Sequence, residues 1–345
     1  MTSPNGVRLE EAFSEWQNSP AAKDRTTCQH CHMGPVQGIA IPNDCRPLGR
    51  AARVPGVAPK EMPLRRLTDH TFAGPDYSLL PDTEFPYKLD WMYEVDYRDT
   101  ARLTPYQHRT LSELRSRNRR ALRKADEKRY ELLSHSARLH VDAPSTAVAG
   151  QTIRLRADVT STVSGHSFPT RFTAERQLWV AVELTSPQGD QISVSGDLDK
   201  NGDLRDEHSY AVLSGHERPD RLLLNFQNKF VALTNKGTDR SVVLSVNRHL
   251  SPTTVIRPAT GVAAFYGRPA SLRIAKGRLP PLQTMGQTYA IRLPDCAGTY
   301  LLDVRLNFRH LPPALLDHIG TPHLKHLLEI VVIDQFEALI IVTDG

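Results

Sequence analysis

Beyond residue 137 the chain is written in period two. Ile153, Leu155, Ala157 and Val159 alternate with polar residues, as do Leu178, Val180, Val182 and Leu184, and again Tyr300, Leu302, Val304, Leu306 and Phe308. Alternation of this kind places one apolar row on one face of a half-buried strand. Turn-forming stretches at Pro187-Gln188-Gly189 and Asn201-Gly202 interrupt the runs, and together they predict an antiparallel β-sandwich. The closing apolar segment, Leu327–Ile333 and Ala338–Val342, predicts one or two buried strands.

Earlier residues follow a different rhythm. Thr104 and Pro105 offer an N-cap and a first-turn proline, and Leu111, Leu114, Leu122, Ala125 and Leu133 recur as one apolar stripe. This predicts a long helix near 105–133. Its other face carries Arg115, Arg117, Arg119, Arg120, Arg123, Lys124, Lys128 and Arg129, which reads as a solvated face in preference to a dock for an acidic partner or for the carboxylates of a cofactor. A short helical pattern runs over Glu10–Gln17, and the proline-rich stretch Pro35–Pro63 reads as loop. The expected fold class is therefore α+β. A loop-rich and helical N-terminal region, 1–136, is followed by an antiparallel β-sandwich domain, 137–345, and no internal repeat interrupts either.

Composition narrows the function classes. The 345 residues are 39% hydrophobic and 23% charged, enough for ordinary globular cores and far from disorder. Lys and Arg number 43 against 38 Asp and Glu, a formal charge of +5; no nucleic-acid-binding signature accompanies it. The longest apolar run, Leu327–Val342, is broken by Glu329, Asp334 and Glu337, so no membrane span is expected. Met1–Gly6 has no apolar stretch of the kind that directs export.

The cysteines carry the chemistry. Cys28-Gln29-His30-Cys31-His32 has the spacing of covalent c-type haem attachment. Two thiols at i and i+3 each form a thioether to a haem vinyl group, and the following histidine reaches the iron from the proximal side. Cys28 and Cys31 are the expected anchors and His32 the proximal ligand. The same pair also fits half a zinc site, with Cys45 as a further ligand, or a redox dithiol. A haem motif without an export signal leaves three expectations: the signal lies upstream of this chain, it has been removed, or the motif is misleading.

The surroundings of the motif resemble a family. Glu11-Ala12-Phe13-Ser14-Glu15-Trp16-Gln17 followed by Thr27-Cys28-Gln29-His30-Cys31-His32-Met33 is similar to the segment carrying a haem motif in multihaem c-type cytochromes. Asp69-His70-Thr71-Phe72-Ala73-Gly74 resembles their His-x-Phe-x-Gly element, and Gly165-His166-Ser167-Phe168-Pro169-Thr170 resembles the Gly-His-x-Phe-Pro-Thr-Gly signature of their C-terminal β-domains. The likeness runs through Arg305–Arg309 and covers most of residues 10–335. It implies haem c, an electron-transfer role, redox partner proteins that include other multihaem chains, and a periplasmic or otherwise extracytoplasmic location. For the distal ligand it implies His70 first, which lies in the same region as His32, and His166 second. Two departures stand out: this chain has one attachment motif where the family has several, and Arg171 occupies the position of the final glycine.

Other histidines rank lower. His30 and Met33 are too close to the attachment loop to reach the far face of the same haem, and His108, His135 and His140 read as surface or packing residues. Asp197, Asp199, Asn201 and Asp203 with Gly202 resemble the start of a calcium loop. Position 12 is His208 instead of glutamate, leaving Asp206 or Glu207 to complete a site, and an acidic turn explains the pattern as well. Cys45 and Cys296 are expected as free thiols, a bridge between them being the alternative. His310, His318, His323 and His326 cluster near the C-terminus and read mainly as loop residues. The function expected is electron transfer by one haem in this chain, within a larger multihaem system. A haem-dependent oxidoreductase of a small nitrogen or sulfur compound, or a β-sandwich assembly module with a vestigial haem motif, are the alternatives.

Overall fold

The structure is a computed structural model and describes residues 11–50, 54–171, 173, 175–206, 209–236, 240–245, 271–275 and 277–345. It mixes helices with sheets. The helices are α1 (Ala12–Gln17), α2 (Pro20–Lys23), α3 (Cys28–His32), α4 (Pro105–Ser134), α5 (Tyr210–Leu213) and α6 (Pro313–His318). The chain divides into two compact units: Thr27–His135 is one, and the residues up to Thr26 together with Ser136–Gly345 are the other. Among the described residues no helix is long and apolar enough to cross a membrane.

In the unit Thr27–His135, α4 is the one long element. Thr104 caps it reciprocally with Gln107: the Gln107 N–H donates to the Thr104 hydroxyl and the Thr104 N–H to the Gln107 side chain, as a capping box requires. Pro105 sits where its missing N–H costs nothing. Leu111 and Leu114 are buried against Met92, Tyr97 and Leu103. Further along, the stripe departs from expectation. Ala125 is exposed and Leu122 half-buried, while Asn118 and Arg129 are buried. Asn118 earns its place by pairing with both backbone groups of Tyr87, accepting from its N–H at 3.2 Å and donating to its carbonyl at 2.8 Å. Arg129 lies over the rings of Tyr77 at 4.5 Å and Tyr130 at 4.4 Å. The basic face is thus not wholly solvated: Arg129 turns inward and Lys128 is paired with Asp69. The rest of the unit is the short helix α3, the single 3-10 turns Asn43–Cys45, Pro59–Glu61, Asp90–Tyr93 and Thr100–Arg102, and loop, with a minimal antiparallel pair β1 (Leu48–Gly49) and β2 (Arg65–Arg66).

The other unit holds the larger sheets. Its strands are β3 (Ala137–Asp142), β4 (Thr146–Val148), β5 (Thr152–Ser161), β6 (Gln177–Thr185), β7 (Gln191–Ser195), β8 (Lys229–Lys236), β9 (Arg240–Ser245), β10 (Ser271–Ala275), β11 (Thr284–Arg292), β12 (Gly298–Arg309) and β13 (Val331–Thr343). They form sheets in the orders β11-β5-β3, β4-β13-β12-β6-β7 and β10-β8-β9. Every pair is antiparallel except β13 with β4. All thirteen alternating apolar residues read from β5, β6 and β12 are buried. The closing segment differs from its reading as buried strands. It is one strand, β13, in which Ile340 and Val342 are buried but Leu339 is 60% and Ile341 53% exposed. In a strand covered on one face, alternate residues point away from the cover.

Candidate haem-attachment site

The short helix α3 begins at Cys28 because Thr27 adopts an extended N-cap conformation. The Thr27 N–H donates to Nδ1 of His30 at 2.9 Å, so His30 closes the helix start on itself. This capping role was not anticipated; a Thr followed three residues later by a side chain with an acceptor was the available signal. After α3 the chain folds back, with the Gly38 N–H donating to the Cys31 carbonyl at 2.9 Å, and Gly38 has φ of +83°. His135, read as a surface or packing residue, directs Nδ1 to the Gln37 carbonyl at 3.0 Å.

Neither cysteine of the motif forms a disulfide; Cys28 is exposed and Cys31 half-buried. Burial, and after it the charge of Cys28, pushes the Cys31 thiol up. His32, next in sequence, points Nδ1 at the Ala73 carbonyl oxygen, 3.2 Å away, and stacks on Phe72 with ring centroids 4.8 Å apart. A carbonyl can only accept, so Nδ1 carries a proton, and in a neutral ring the lone pair is then on Nε2. The loop that supplies these contacts is anchored to α3, since the Asp69 N–H donates to the Met33 carbonyl at 3.0 Å.

The site residues therefore gather in part. Cys28, Cys31 and His32 lie on one helix, and the segment His70–Ala73 lies against it with His70 itself exposed. Two thiols one helical turn apart, beside an imidazole whose tautomer a carbonyl sets, fit the demands of a covalent haem. Asp69 shapes this loop. Burial works against its ionisation, but Lys128 and the Thr71 N–H outweigh burial and hold its carboxyl down at about 2.

His166 belongs to the β-rich unit. It is half-buried, its Nδ1 faces the Ser167 carbonyl at 2.9 Å, and desolvation lowers its pKa. Its loop is held from α1. The Ser167 N–H donates to Glu15 at 2.8 Å, Thr170 donates to the same carboxylate at 3.3 Å, and buried Arg278 pairs with Glu15 and, at 3.0 Å, with Glu11. Two segments of the family-like pattern, 152 residues apart, thus share one buried ion-pair cluster. Arg171, standing where the pattern has glycine, has φ of +61°, the left-handed conformation that glycine adopts without cost.

The acidic turn at 197–203 is held by the chain's own donors. Arg205 takes Asp197, the backbone N–H groups of Asn201 and Asp203 donate to Asp199 at 2.8 and 2.9 Å, and Ala314 N–H donates to Asp203 at 3.1 Å. Asn201 donates to Asp203 and to Asp317, while Lys325 pairs with Asp317. Desolvation raises the pKa of Asp203. Glu207 and His208 lie outside the described residues. Among the described residues no three His, Cys, Asp or Glu gather as a metal-ion cluster. Cys45 and Cys296 are exposed free thiols. His310 is buried, whereas His318, His323 and His326 are exposed.

No family model matches the chain, and no curated protein matches it. Solved structures do. A penta-heme cytochrome c552 from Thermochromatium tepidum is similar over 98% of this chain and 53% of its own, at 14% identity and a TM-score of 0.45. The chain thus spans about half the length of that cytochrome. A CARDB domain from Pyrococcus furiosus, in complex with di-metal ions, is similar over 60% of this chain and 87% of its own, at 8% identity and a TM-score of 0.20. The adhesive subunit CfaE of the CFA/I fimbria of enterotoxigenic Escherichia coli is similar over 61% of this chain and 49% of its own, at 13% identity and a TM-score of 0.18.

Proposed function

We propose that this chain is an electron carrier of the multihaem c-type cytochrome kind, with one haem c joined to Cys28 and Cys31 and bound at the iron by His32. The observation that carries the reading is the tautomer of His32: the Ala73 carbonyl holds the proton on Nδ1 and leaves Nε2 as the basic nitrogen for iron. A haem bound there supplies a one-electron iron couple. The chain's part is to fix and tune it. Cys28 and Cys31 hold it covalently, Phe72 steadies the imidazole by stacking, and His70, in the same loop, is the sixth ligand we favour, with His166 second.

The unit Thr27–His135 is then the haem-binding region. The β-rich unit, on this reading, is a sandwich of the sheets β11-β5-β3 and β4-β13-β12-β6-β7; both bury their apolar rows, and the Leu139 N–H of β3 donates to Asp334 of β13 at 2.8 Å, a tie between the two sheets at one edge. Redox partners, other multihaem chains among them, and an extracytoplasmic location belong to the same proposal, because haem c is attached on the oxidising side of a membrane. Expression with haem-maturation machinery tests it. One haem per chain by pyridine haemochromogen, retained in a denaturing gel and lost in Cys28→Ala/Cys31→Ala, is the expected result. A wild-type chain without retained haem refutes it.

A further inference from the structure

Two exposed surfaces of this chain match one another in charge and in polarity. The first is the arm that begins at β1 and ends at β2. No residue of 47–50 or 54–66 is buried. Leu48, Val54, Val57 and Leu64 are exposed there, in company with four cations, Arg50, Lys60, Arg65 and Arg66, and a single carboxylate, Glu61. Arg50 and Arg66 donate to the carbonyls of Met62 and Arg46, at 2.8 Å each. Among the described residues none of the four cations forms an ion pair. A two-strand ribbon without a buried face gains little from its own pairing in water.

The second surface is the outer face of the sheet β4-β13-β12-β6-β7. Leu339 lies directly across from Leu301, Ile341 follows on the same face of β13, and Val148 of β4 pairs with Thr343. All four apolar side chains are exposed, in outward rows that are ordinarily polar. Contiguous exposed apolar residues mark a site of association. The adjoining row sets three carboxylates abreast, Glu337, Asp303 and Glu183, on three neighbouring strands. Arg305 pairs with Asp303, and among the described residues no ion pair reaches Glu183 or Glu337. Like charges directly opposite in a sheet destabilise it, and cations arriving from outside relieve that repulsion.

We infer that the arm of one copy docks on the outer sheet face of a second copy of this chain. Its apolar side chains cover the patch around Leu339 and Leu301, and its cations, Lys60 and Arg65 among them, meet Glu183 and Glu337. Complementary potentials of this kind orient an encounter and fix its register. Both halves of the contact stand on every chain, so a second copy supplies all the chemistry that each surface selects. The contact joins two different surfaces, and it closes as a pair when each copy gives its arm to the other. It is independent of the haem.

The test uses the full chain as purified and reads its mass by light scattering across a salt series. The wild type is expected to exceed the mass of one chain at low salt and to fall toward it as salt screens the contact. K60E/R65E and E183K/E337K each set like charges against one another, and each alone is expected to stay a single chain. Mixed one to one, they restore opposite charges at both contacts, and association is expected to return. A wild type that stays a single chain at low salt overturns the inference. So does association that persists in either variant, or a mixture of folded variants that does not reassemble. Should either variant fail to fold, L339Q/I341Q, which changes two exposed positions, decides: lost association supports the contact, and unchanged association overturns it.

Discussion

Nδ1 of His32 faces the carbonyl oxygen of Ala73 at 3.2 Å across 41 residues of sequence. That hydrogen bond fixes which nitrogen bears the proton and so which nitrogen is the base, a choice that a Cys-x-x-Cys-His pattern does not contain. His32→Met preserves both thioether cysteines and exchanges the basic nitrogen for a thioether sulfur. The haem-loaded variant is expected to retain covalent haem and to have a raised midpoint potential, as methionine ligation does in cytochromes. Spectroelectrochemistry checks it; an unaltered potential counts against His32 as ligand.

The loop that orients His32 depends on the pair Asp69–Lys128. Asp69 has its pKa lowered from 3.8 to about 2 in the fold, so its contribution to stability is complete above about pH 4 and disappears as the pH falls to about 2. Lys128→Met is expected to cost about 1 kcal/mol at neutral pH, since solvent reaches part of the pair. It should also flatten the dependence of melting temperature on pH within that acid window. Melting curves of both proteins across the window measure this. Equal acid slopes would show that Lys128 does not set the Asp69 carboxyl.

Arg171 carries a side chain in a left-handed conformation that costs a non-glycine residue about 1 kcal/mol. Arg171→Gly is expected to remove that strain, partly offset by the greater freedom glycine has when unfolded. A net gain of about 0.5 kcal/mol in denaturant unfolding is the outcome to look for. Loss of stability in this variant would mean that the arginine side chain contributes more than its backbone costs.

Calcium has little to win at the acidic turn. Asp197 is held by Arg205, and Asp199 and Asp203 accept backbone N–H groups at 2.8 to 3.1 Å. Saturating calcium, followed by a chelator, is expected to leave the melting temperature unchanged. A clear upward shift with calcium would show that these oxygens exchange their protein donors for the ion.

Much of this molecule was legible where one rule governs a whole element. Ile153, Leu155, Ala157 and Val159 are buried as a strict period-two row requires, and Thr104 with Pro105 marks the observed start of α4. Legibility failed where a polar group is buried against a partner distant in sequence. Asn118 serves the backbone of Tyr87, and Arg129 lies over Tyr77; no periodicity encodes either. β13 misled for the opposite reason. A nearly continuous apolar run suggests cover on both faces, yet Leu339 and Ile341 are left exposed. At the site, the Cys28–His32 motif was plain, but the service of His30 as a cap and the link from His32 to Ala73 depend on how a loop folds back.

The unit Thr27–His135 is one unbroken stretch, whereas the unit around it is assembled from the residues up to Thr26 and from Ser136 onward, with β13 as its last strand. Order of synthesis therefore matters. When His135 has emerged, every residue of the inner unit exists, while Glu11 and Glu15 still lack Arg278, and β12 and β13 have yet to be made. Domains fold as their residues become available. The surroundings of α3 are thus complete in the chain, and able to close, before those of the β-rich unit.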